Sequence, residues 1–444
     1  MPKFISIQKK IEQFKKKTIS VPGDKSLSIR FVLLSSLSKG KCTAYNLLKS
    51  DDVLSAIKNI KKLGIKVILK KSRCEIYGKG LFGYKYKRNL ILDAGNSGTT
   101  ARLLCSALID AHYPIKIVGD KSLIKRDMSR IIKPLESFGV KLKNNNGKLP
   151  IFIKGTKFTT PIKYIENLGS AQCKSAVMIA ALKTFGTTKI KSLPSRNHTE
   201  LMFKNVLKVP IKLKYQKKYD LIEVEGKNEI KPFNYKIPGD ISSAAFFIVL
   251  TLLSKNSKLT LKDININPSR IGIIKILNIM GAKIKLLNKK NYKGEMIGDI
   301  HVESTKNLKA IKLNSSLNSS VIDEFLLVFL VASRCEGVSS FEKLSELNQK
   351  ESKRLDWGIK ILKMMDIKVM KTKNQGIKIW GNKNPSPQKN YKIKNYLKDH
   401  RIFMLSAIAA LSFGGNWRIY NPDSFKTSFP NFVKTLRSLG AKIK

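Results

Sequence analysis

The residues best placed to do chemistry lie in short stretches that combine cations, hydroxyls and flexible backbone. Pro22-Gly23-Asp24-Lys25-Ser26-Leu27-Ser28-Ile29-Arg30 sets an amine, hydroxyls and a guanidinium at the start of an apolar helix. Free backbone N–H groups and the helix dipole favour an anion there; taken alone, the stretch is equally a helix start with ordinary caps. Gly95-Asn96-Ser97-Gly98-Thr99-Thr100-Ala101-Arg102 is a small-residue loop entering a helix predicted from Leu103 to Ile109. Such backbone can approach a phosphate or carboxylate closely. A capped turn has the same spelling, and no Gly-Lys-Ser/Thr closes the loop as in a nucleotide-binding P-loop. Gly169-Ser170-Ala171-Gln172 repeats the arrangement before a helix predicted from Cys173 to Leu182, offering one ligand a hydroxyl, a backbone amide and a carboxamide. Lys350-Glu351-Ser352-Lys353-Arg354 reads first as a solvated helical face, with Lys350 and Arg354 at i,i+4 and Glu351 beside Arg354.

Charge alone would suggest a polyanion as partner, because 85 Lys and Arg against 31 Asp and Glu give a net charge of +54. The lysines are spread along the whole chain and far outnumber the arginines, which is the pattern of a compositional drift and not of a binding face. No nucleic-acid partner is therefore expected. Against that drift a retained arginine is informative, since its planar fork binds carboxylate or phosphate in a way Lys cannot. Arg30, Arg102, Arg126, Arg196, Arg354 and Arg401 are such positions. Cys42, Cys74, Cys105, Cys173 and Cys335 are odd in number and widely separated, so neither a disulfide framework nor a zinc site is indicated, and a reducing cytoplasm fits. Met1 to Lys17 lacks the apolar stretch of a signal peptide, and the longest apolar runs, around Ala244 to Leu253 and Leu326 to Ala332, are too short to span a bilayer. A soluble protein without a membrane partner is expected.

The elements that must position these residues are legible in a repeat. With 444 residues and 42% hydrophobic content the chain can bury more than one core. An amphipathic helix, a Gly and a short strand recur as Leu63-Gly64-Ile65-Lys66-Val67, Phe138-Gly139-Val140-Lys141-Leu142, Met280-Gly281-Ala282-Lys283-Ile284 and Leu439-Gly440-Ala441-Lys442-Ile443. Lys208-Val209-Pro210-Ile211-Lys212-Leu213 and Met365-Asp366-Ile367-Lys368-Val369 are degenerate copies, giving six units about 70 to 85 residues apart. Val53, Ile57, Ile60 and Leu63, like Met128, Ile131, Leu135 and Phe138, follow helical spacing, and the Gly permits a left-handed C-terminal cap. Val21-Pro22-Gly23-Asp24-Lys25-Ser26 is echoed by Ile237-Pro238-Gly239-Asp240-Ile241-Ser242 about three units later, as paired crossings between two three-unit domains would be.

Taken jointly, the segments resemble the 5-enolpyruvylshikimate-3-phosphate (EPSP) synthase family from about Val21 to the C-terminus. The resemblance rests on the order and spacing of Pro22-Gly23-Asp24-Lys25-Ser26, Gly95-Asn96-Ser97-Gly98-Thr99, Gly119-Asp120-Lys121-Ser122-Leu123-Ile124-Lys125-Arg126, Ser170-Ala171-Gln172, Ile322-Asp323-Glu324, Lys350-Glu351-Ser352-Lys353-Arg354-Leu355 and Asp399-His400-Arg401. It implies an α/β, two-domain enolpyruvyl transferase fold, each domain three βαβαββ units around a pseudo-threefold axis. Residues 1–21 plus 239–444 would form the first, discontinuous domain and residues 22–238 the second, with the active site in the cleft between them and closure about the crossings.

The family transfers the enolpyruvyl group of phosphoenolpyruvate to the 5-hydroxyl of shikimate 3-phosphate, in the shikimate pathway to chorismate and the aromatic amino acids. Carried over by motif, the resemblance implies Lys25, Ser26, Arg30, Ser170, Ala171, Gln172, Arg196, Asp323 and Lys350 as shikimate 3-phosphate ligands, and Lys25, Gly98, Arg126, Gln172, Arg354 and Arg401 as the phosphoenolpyruvate set. Both substrates bring a phosphate and a carboxylate, so forked guanidiniums must cancel their repulsion; no metal and no cofactor are implied. Asp323 is the candidate base at the hydroxyl, and Glu351 and Lys25 are candidates at the methylene carbon. A carboxylate among cations releases its proton readily, which makes Glu351 a poor standing acid. Asp127 stands where the family usually has Pro, Asn197 where related bacterial enzymes have Asp, and Lys426 is one position from the lysine often found before the last Thr-Phe-Pro, so Lys426 is left out of the set. Glyphosate occupies the phosphoenolpyruvate site in this family, and resistant members often carry Ala at the position of Gly98. Gly98 therefore implies sensitivity, while the Pro22-Gly23-Asp24 and Ser170-Ala171-Gln172 spellings resemble the more tolerant bacterial branch. A cytoplasmic monomer is expected. The rival readings are the related transferase acting on UDP-N-acetylglucosamine, whose reactive loop usually carries a Cys absent between Asp110 and Arg126, a basic nucleic-acid-binding protein, and an inactive relative kept as a scaffold, against which intact Asp323, Glu351 and Lys25 argue.

Overall fold

A computed structural model describes residues 3–226, 228–382 and 389–444. Met1 and Pro2, the start of the segment read above as lacking a leader's apolar stretch, lie outside the described residues. The chain forms two compact units. The terminal unit holds Met1–Pro22, Pro238–Lys290 and Met296–Lys444; the central unit holds Gly23–Ile237 and Asn291–Glu295.

One four-stranded sheet order recurs five times, three in the central unit and two in the terminal unit, where a three-stranded sheet makes the third. In the central unit, Ile91–Asp93 runs parallel to Ile115–Val118, which pairs antiparallel with Lys148–Lys154, itself antiparallel to Lys141–Asn145. Strands Asn234–Lys236, Lys39–Tyr45, Arg73–Lys79 and Lys66–Leu69 repeat that order, as do Lys163–Glu166, Thr187–Ser192, Asp220–Glu225 and Ile211–Tyr215. In the terminal unit the third sheet takes its antiparallel strand from Phe4–Ile7, so both ends of the chain meet there: Ile7 bridges Ile443. The left-handed residue after each helix is present in all six copies: Gly64, Gly139, Gly281 and Gly440 have φ of 83°, 93°, 88° and 99°, and the degenerate copies hold Lys208 and Asp366 at 57° and 59°. The backbone geometry is therefore kept even where the Gly is not.

Helices divide into two kinds. Those on the outside are amphipathic: Asp51–Lys62 buries Val53, Ala56, Ile57 and Ile60 and begins with Asp51 and Asp52, which suit the positive end of its dipole. Three helices in each unit are buried nearly all round. Lys25–Ser36, Gly98–Ala107 and Ala171–Leu182 lie in the core of the central unit, and Ile241–Leu253, Phe325–Ala332 and His400–Phe413 in that of the terminal unit. At roughly 1.5–3 kcal/mol per fully buried Leu, Ile or Phe, these helices carry a large part of each unit's stability. No single helix among the described residues is long and apolar enough to cross a membrane. The five cysteines are buried and free, and burial pushes the Cys105 and Cys335 thiols up to about 12, so they pack as small apolar groups.

Candidate active site

In the central unit the first turns of the three core helices are tied to one another. Asp24 caps Lys25–Ser36 by accepting from Leu27 N–H at 2.9 Å, Ser97 caps Gly98–Ala107, and Ser170 caps Ala171–Leu182. The first helix faces the Asp24 carboxylate at its positive end, whereas the second and third have serine caps and no acidic residue in the first turn, which favours an anion there. The second and third helices begin earlier than the sequence pattern predicts, which puts Gly98 and Ala171 inside the first turn.

Lys25 donates to Asp52 at 2.9 Å, and Thr100 donates to the Asp52 carbonyl at 3.4 Å. Arg30, 4% exposed, is held through Nε by Thr199 Oγ1 at 2.7 Å, through Nη2 by Ser175 Oγ at 2.8 Å and through Nη1 by the Ser26 carbonyl at 3.2 Å. Gln172 accepts from Arg102 Nη1 at 2.5 Å and donates to Thr99 Oγ1 at 2.9 Å. Arg126 donates to Asn96 Oδ1 at 2.8 Å, and Asn96 in turn donates to Asp120, whose other oxygen shapes the turn at Ser122 and Leu123. A methyl group at Gly98 would lie 2.9 Å from Arg102 Nη1 and 3.2 Å from Arg126 Nη1, so both guanidiniums converge on this loop. Burial weakens the hold of Arg102 on its proton and its neighbours Arg126 and Arg130 add to that, with Cys173 and Asp127 opposing. Arg196 sits in the loop before the His198–Met202 helix, three residues ahead of Thr199. That helix is anchored by the buried ion pair of Glu200 with Lys174 at 2.6 Å and by His198 Nδ1 with Glu295 at 2.6 Å.

The terminal unit brings together Asp323, Lys350, Glu351 and Arg354. Lys350 to Arg354 is not the solvated helical face its spelling suggests: Lys350 is extended, Lys353 is the N-cap, and the helix Arg354–Met364 begins only at Arg354. The reason is burial of Arg354, 1% exposed, among three carboxylates. Its Nε reaches Asp399 at 2.9 Å, Nη1 reaches Asp323 at 3.4 Å and Nη2 donates to Glu351. Burial alone would lower the pKa of Arg354, but Asp399, Glu351 and Asp323 outweigh it and raise it. Asp323 also faces Lys350 at 3.4 Å. Arg401 starts the His400–Phe413 helix, with its backbone N–H on Asp399 and its Nη1 3.5 Å from Glu324.

Of the residues singled out in the sequence, Lys25, Ser26, Arg30, Gly98, Arg126, Ser170, Ala171, Gln172 and Arg196 lie in the central unit, and Asp323, Lys350, Glu351, Arg354 and Arg401 in the terminal unit. Sequence reasoning missed Asp52, Thr199, Ser175 and Asp399. Asp399 was quoted in the Asp399-His400-Arg401 motif but given no role; the others show nothing until the helices pack. Asp127, the departure from the family spelling, accepts from Ser129 N–H at 2.8 Å just ahead of the next helix and from Arg102 with its carbonyl at 2.9 Å. Lys426 pairs with exposed Asp423 at 2.7 Å.

Two units, each of three related sheets around buried helices, with Lys25, Arg30 and Arg126 gathered in one and Lys350, Arg354 and Arg401 in the other, define the enolpyruvyl transferase class, and the likeness to solved structures agrees. An enolpyruvyl transferase from Streptomyces tendae, NikO, matches at TM-score 0.76 over 99% of this chain and 98% of its own, at 12% identity, which speaks for the fold alone. EPSP synthase from Acinetobacter baumannii matches at TM-score 0.85 and 32% identity over 99% of both chains. Proteins named 3-phosphoshikimate 1-carboxyvinyltransferase from Ruthia magnifica and Thermoanaerobacter sp. strain X514 are 39% and 37% identical, over 96% and 98% of this chain and 95% and 100% of theirs. Residues 9–436 match the EPSP synthase (3-phosphoshikimate 1-carboxyvinyltransferase) family, and the chain belongs to it.

Proposed function

We propose that this chain transfers the enolpyruvyl group of phosphoenolpyruvate to the 5-hydroxyl of shikimate 3-phosphate, releasing phosphate through a tetrahedral intermediate. The observation that carries the reading is the pair of cationic clusters on a chain of this family: Lys25, Arg30 and Arg126 in one unit, Lys350, Arg354 and Arg401 in the other. In this reading the two clusters act on one substrate pair. Ser26, Arg30, Ser170, Ala171, Arg196 and Lys350 hold shikimate 3-phosphate, Gly98, Arg126, Arg354 and Arg401 hold phosphoenolpyruvate, and Lys25 and Gln172 serve both. Asp323 takes the proton of the 5-hydroxyl. Glu351 and Lys25 serve the methylene carbon, with Glu351 accepting from Arg354 Nη2. The protein works as a cytoplasmic monomer without metal or cofactor.

The test is phosphate release from phosphoenolpyruvate, with shikimate 3-phosphate, with UDP-N-acetylglucosamine, and with no acceptor. Release only with shikimate 3-phosphate is expected. Release with the sugar nucleotide instead would establish the rival transferase, and no release with either acceptor would sink the reading.

A further inference from the structure

Arg354 and Arg401 stand in opposite situations. Arg354 is gripped by three carboxylates, whereas the only hydrogen bond of the Arg401 side chain among the described residues is Nη1 to Glu324 at 3.5 Å. Its Nε and Nη2 edge, the geometry a guanidinium uses to bind a carboxylate or phosphate bidentately, is thus left for a ligand although the residue is only 9% exposed. A long side chain with one such contact needs that contact fixed, or it loses its direction.

Glu324 is fixed. It is 0% exposed at the N-cap of the Phe325–Ala332 helix and accepts from Ser242 Oγ. The same hydroxyl accepts from Arg270 Nη2 at 2.8 Å, and Arg270, 2% exposed, lies 3.5 Å from Asp240 Oδ1. Asp240 caps the Ile241–Leu253 helix through Ser242 N–H at 2.8 Å, and its own N–H donates to the Pro22 carbonyl at 3.0 Å. A continuous buried chain therefore runs from Arg401 through Glu324, Ser242 and Arg270 to Asp240, beside Pro22 and Pro238, where the terminal unit gives way to the central one and resumes.

We infer that Glu324 is a positioning residue: backed by Ser242 and Arg270, it aims the Arg401 fork at the phosphoenolpyruvate anion and ties it to the Pro22 and Asp240 crossings. This deepens the proposed function and rests on it. Glu324→Gln keeps the shape and removes the charge that holds Arg401, so the KM for phosphoenolpyruvate rises about tenfold or more while the KM for shikimate 3-phosphate stays within about twofold. Because Glu324 acts through Arg401, adding Glu324→Gln to Arg401→Lys changes the phosphoenolpyruvate KM by less than about twofold.

The steady-state constants of wild type, both single variants and the double variant, with thermal melting on each, test it. An equal effect in both backgrounds, an unchanged or lowered phosphoenolpyruvate KM, or an equal rise for both substrates overturns the inference. Should Glu324→Gln fail to fold, Ser242→Ala removes one hydroxyl from behind the carboxylate. A rise of about threefold in the same single KM is then expected, and no change overturns the role. Wild type is the separate control: no turnover there sinks the proposed function, whereas normal turnover with unaltered variants sinks only the role of Glu324.

Discussion

Asp323 lies 3.4 Å from both Lys350 Nζ and Arg354 Nη1, so its charge has partners before any substrate arrives. Asp323→Asn keeps that shape but cannot take a proton, and turnover should fall about a hundredfold or more at saturating substrates. Turnover like wild type would remove Asp323 from the role of base. Gly98 faces two guanidiniums, and a methyl group there must displace Arg102 Nη1 from 2.9 Å and crowd Arg126 Nη1 at 3.2 Å. These are the ends of flexible side chains, so Gly98→Ala should fold and bind phosphoenolpyruvate less well. Glyphosate, the longer ligand, should lose at least about 1.4 kcal/mol, roughly tenfold in inhibition. A dose series at fixed phosphoenolpyruvate decides: equal inhibition of both proteins shows that the inhibitor does not lie against this loop.

The helix-to-strand turns differ in how much room they leave around the left-handed residue. Gly440 and Gly64 have φ of 99° and 83°, but an added methyl meets nothing within 4 Å at Gly440 and the Lys85 carbonyl oxygen at 2.8 Å at Gly64. Gly440→Ala should therefore cost only conformational strain, about 1–2 kcal/mol, and Gly64→Ala clearly more. Urea midpoints of the two variants check the order, and equal losses would mean that strain alone sets the cost. Spacing made the six turns visible, including the two without Gly, because the left-handed cap and the strand after it repeat in the sequence. Taken alone, Lys350 to Arg354 spells a solvated helix because i,i+4 charges normally sit on one, whereas in the fold the helix starts only at Arg354, which is buried against Asp399.

At the scale of the whole molecule, buried carboxylates make stability depend on acid. Burial by itself would raise the pKa of Asp399, but the Arg354 guanidinium outweighs it and holds the carboxyl below its ordinary 3.8. The unfolded chain then binds the proton more readily than the folded one. The contribution of Asp399 is present in full above about pH 4 and is lost as the pH falls through the folded value. Asp399→Asn should therefore be less stable than wild type at neutral pH, with the gap narrowing below about pH 4. Melting curves from pH 7 to pH 3 measure it, and a gap independent of pH would show that the carboxylate charge is not what stabilises the terminal unit.

The sequence by itself determined the repeat, the caps and the chemical types in the candidate site, because helical period, left-handed turns and forked cations are local properties of the chain. It was also enough to place Lys25 at a helix start, whereas Gly98 and Gln172 were read into loops ahead of helices that in fact begin at Gly98 and Ala171. Only the tertiary structure decided that Asp52, Thr199 and Asp399 are the partners of Lys25, Arg30 and Arg354, which lie 27, 169 and 45 residues away. Such pairs are chosen by which helix ends pack together, and a buried guanidinium accepts whichever carboxylate or hydroxyl the packing brings within reach.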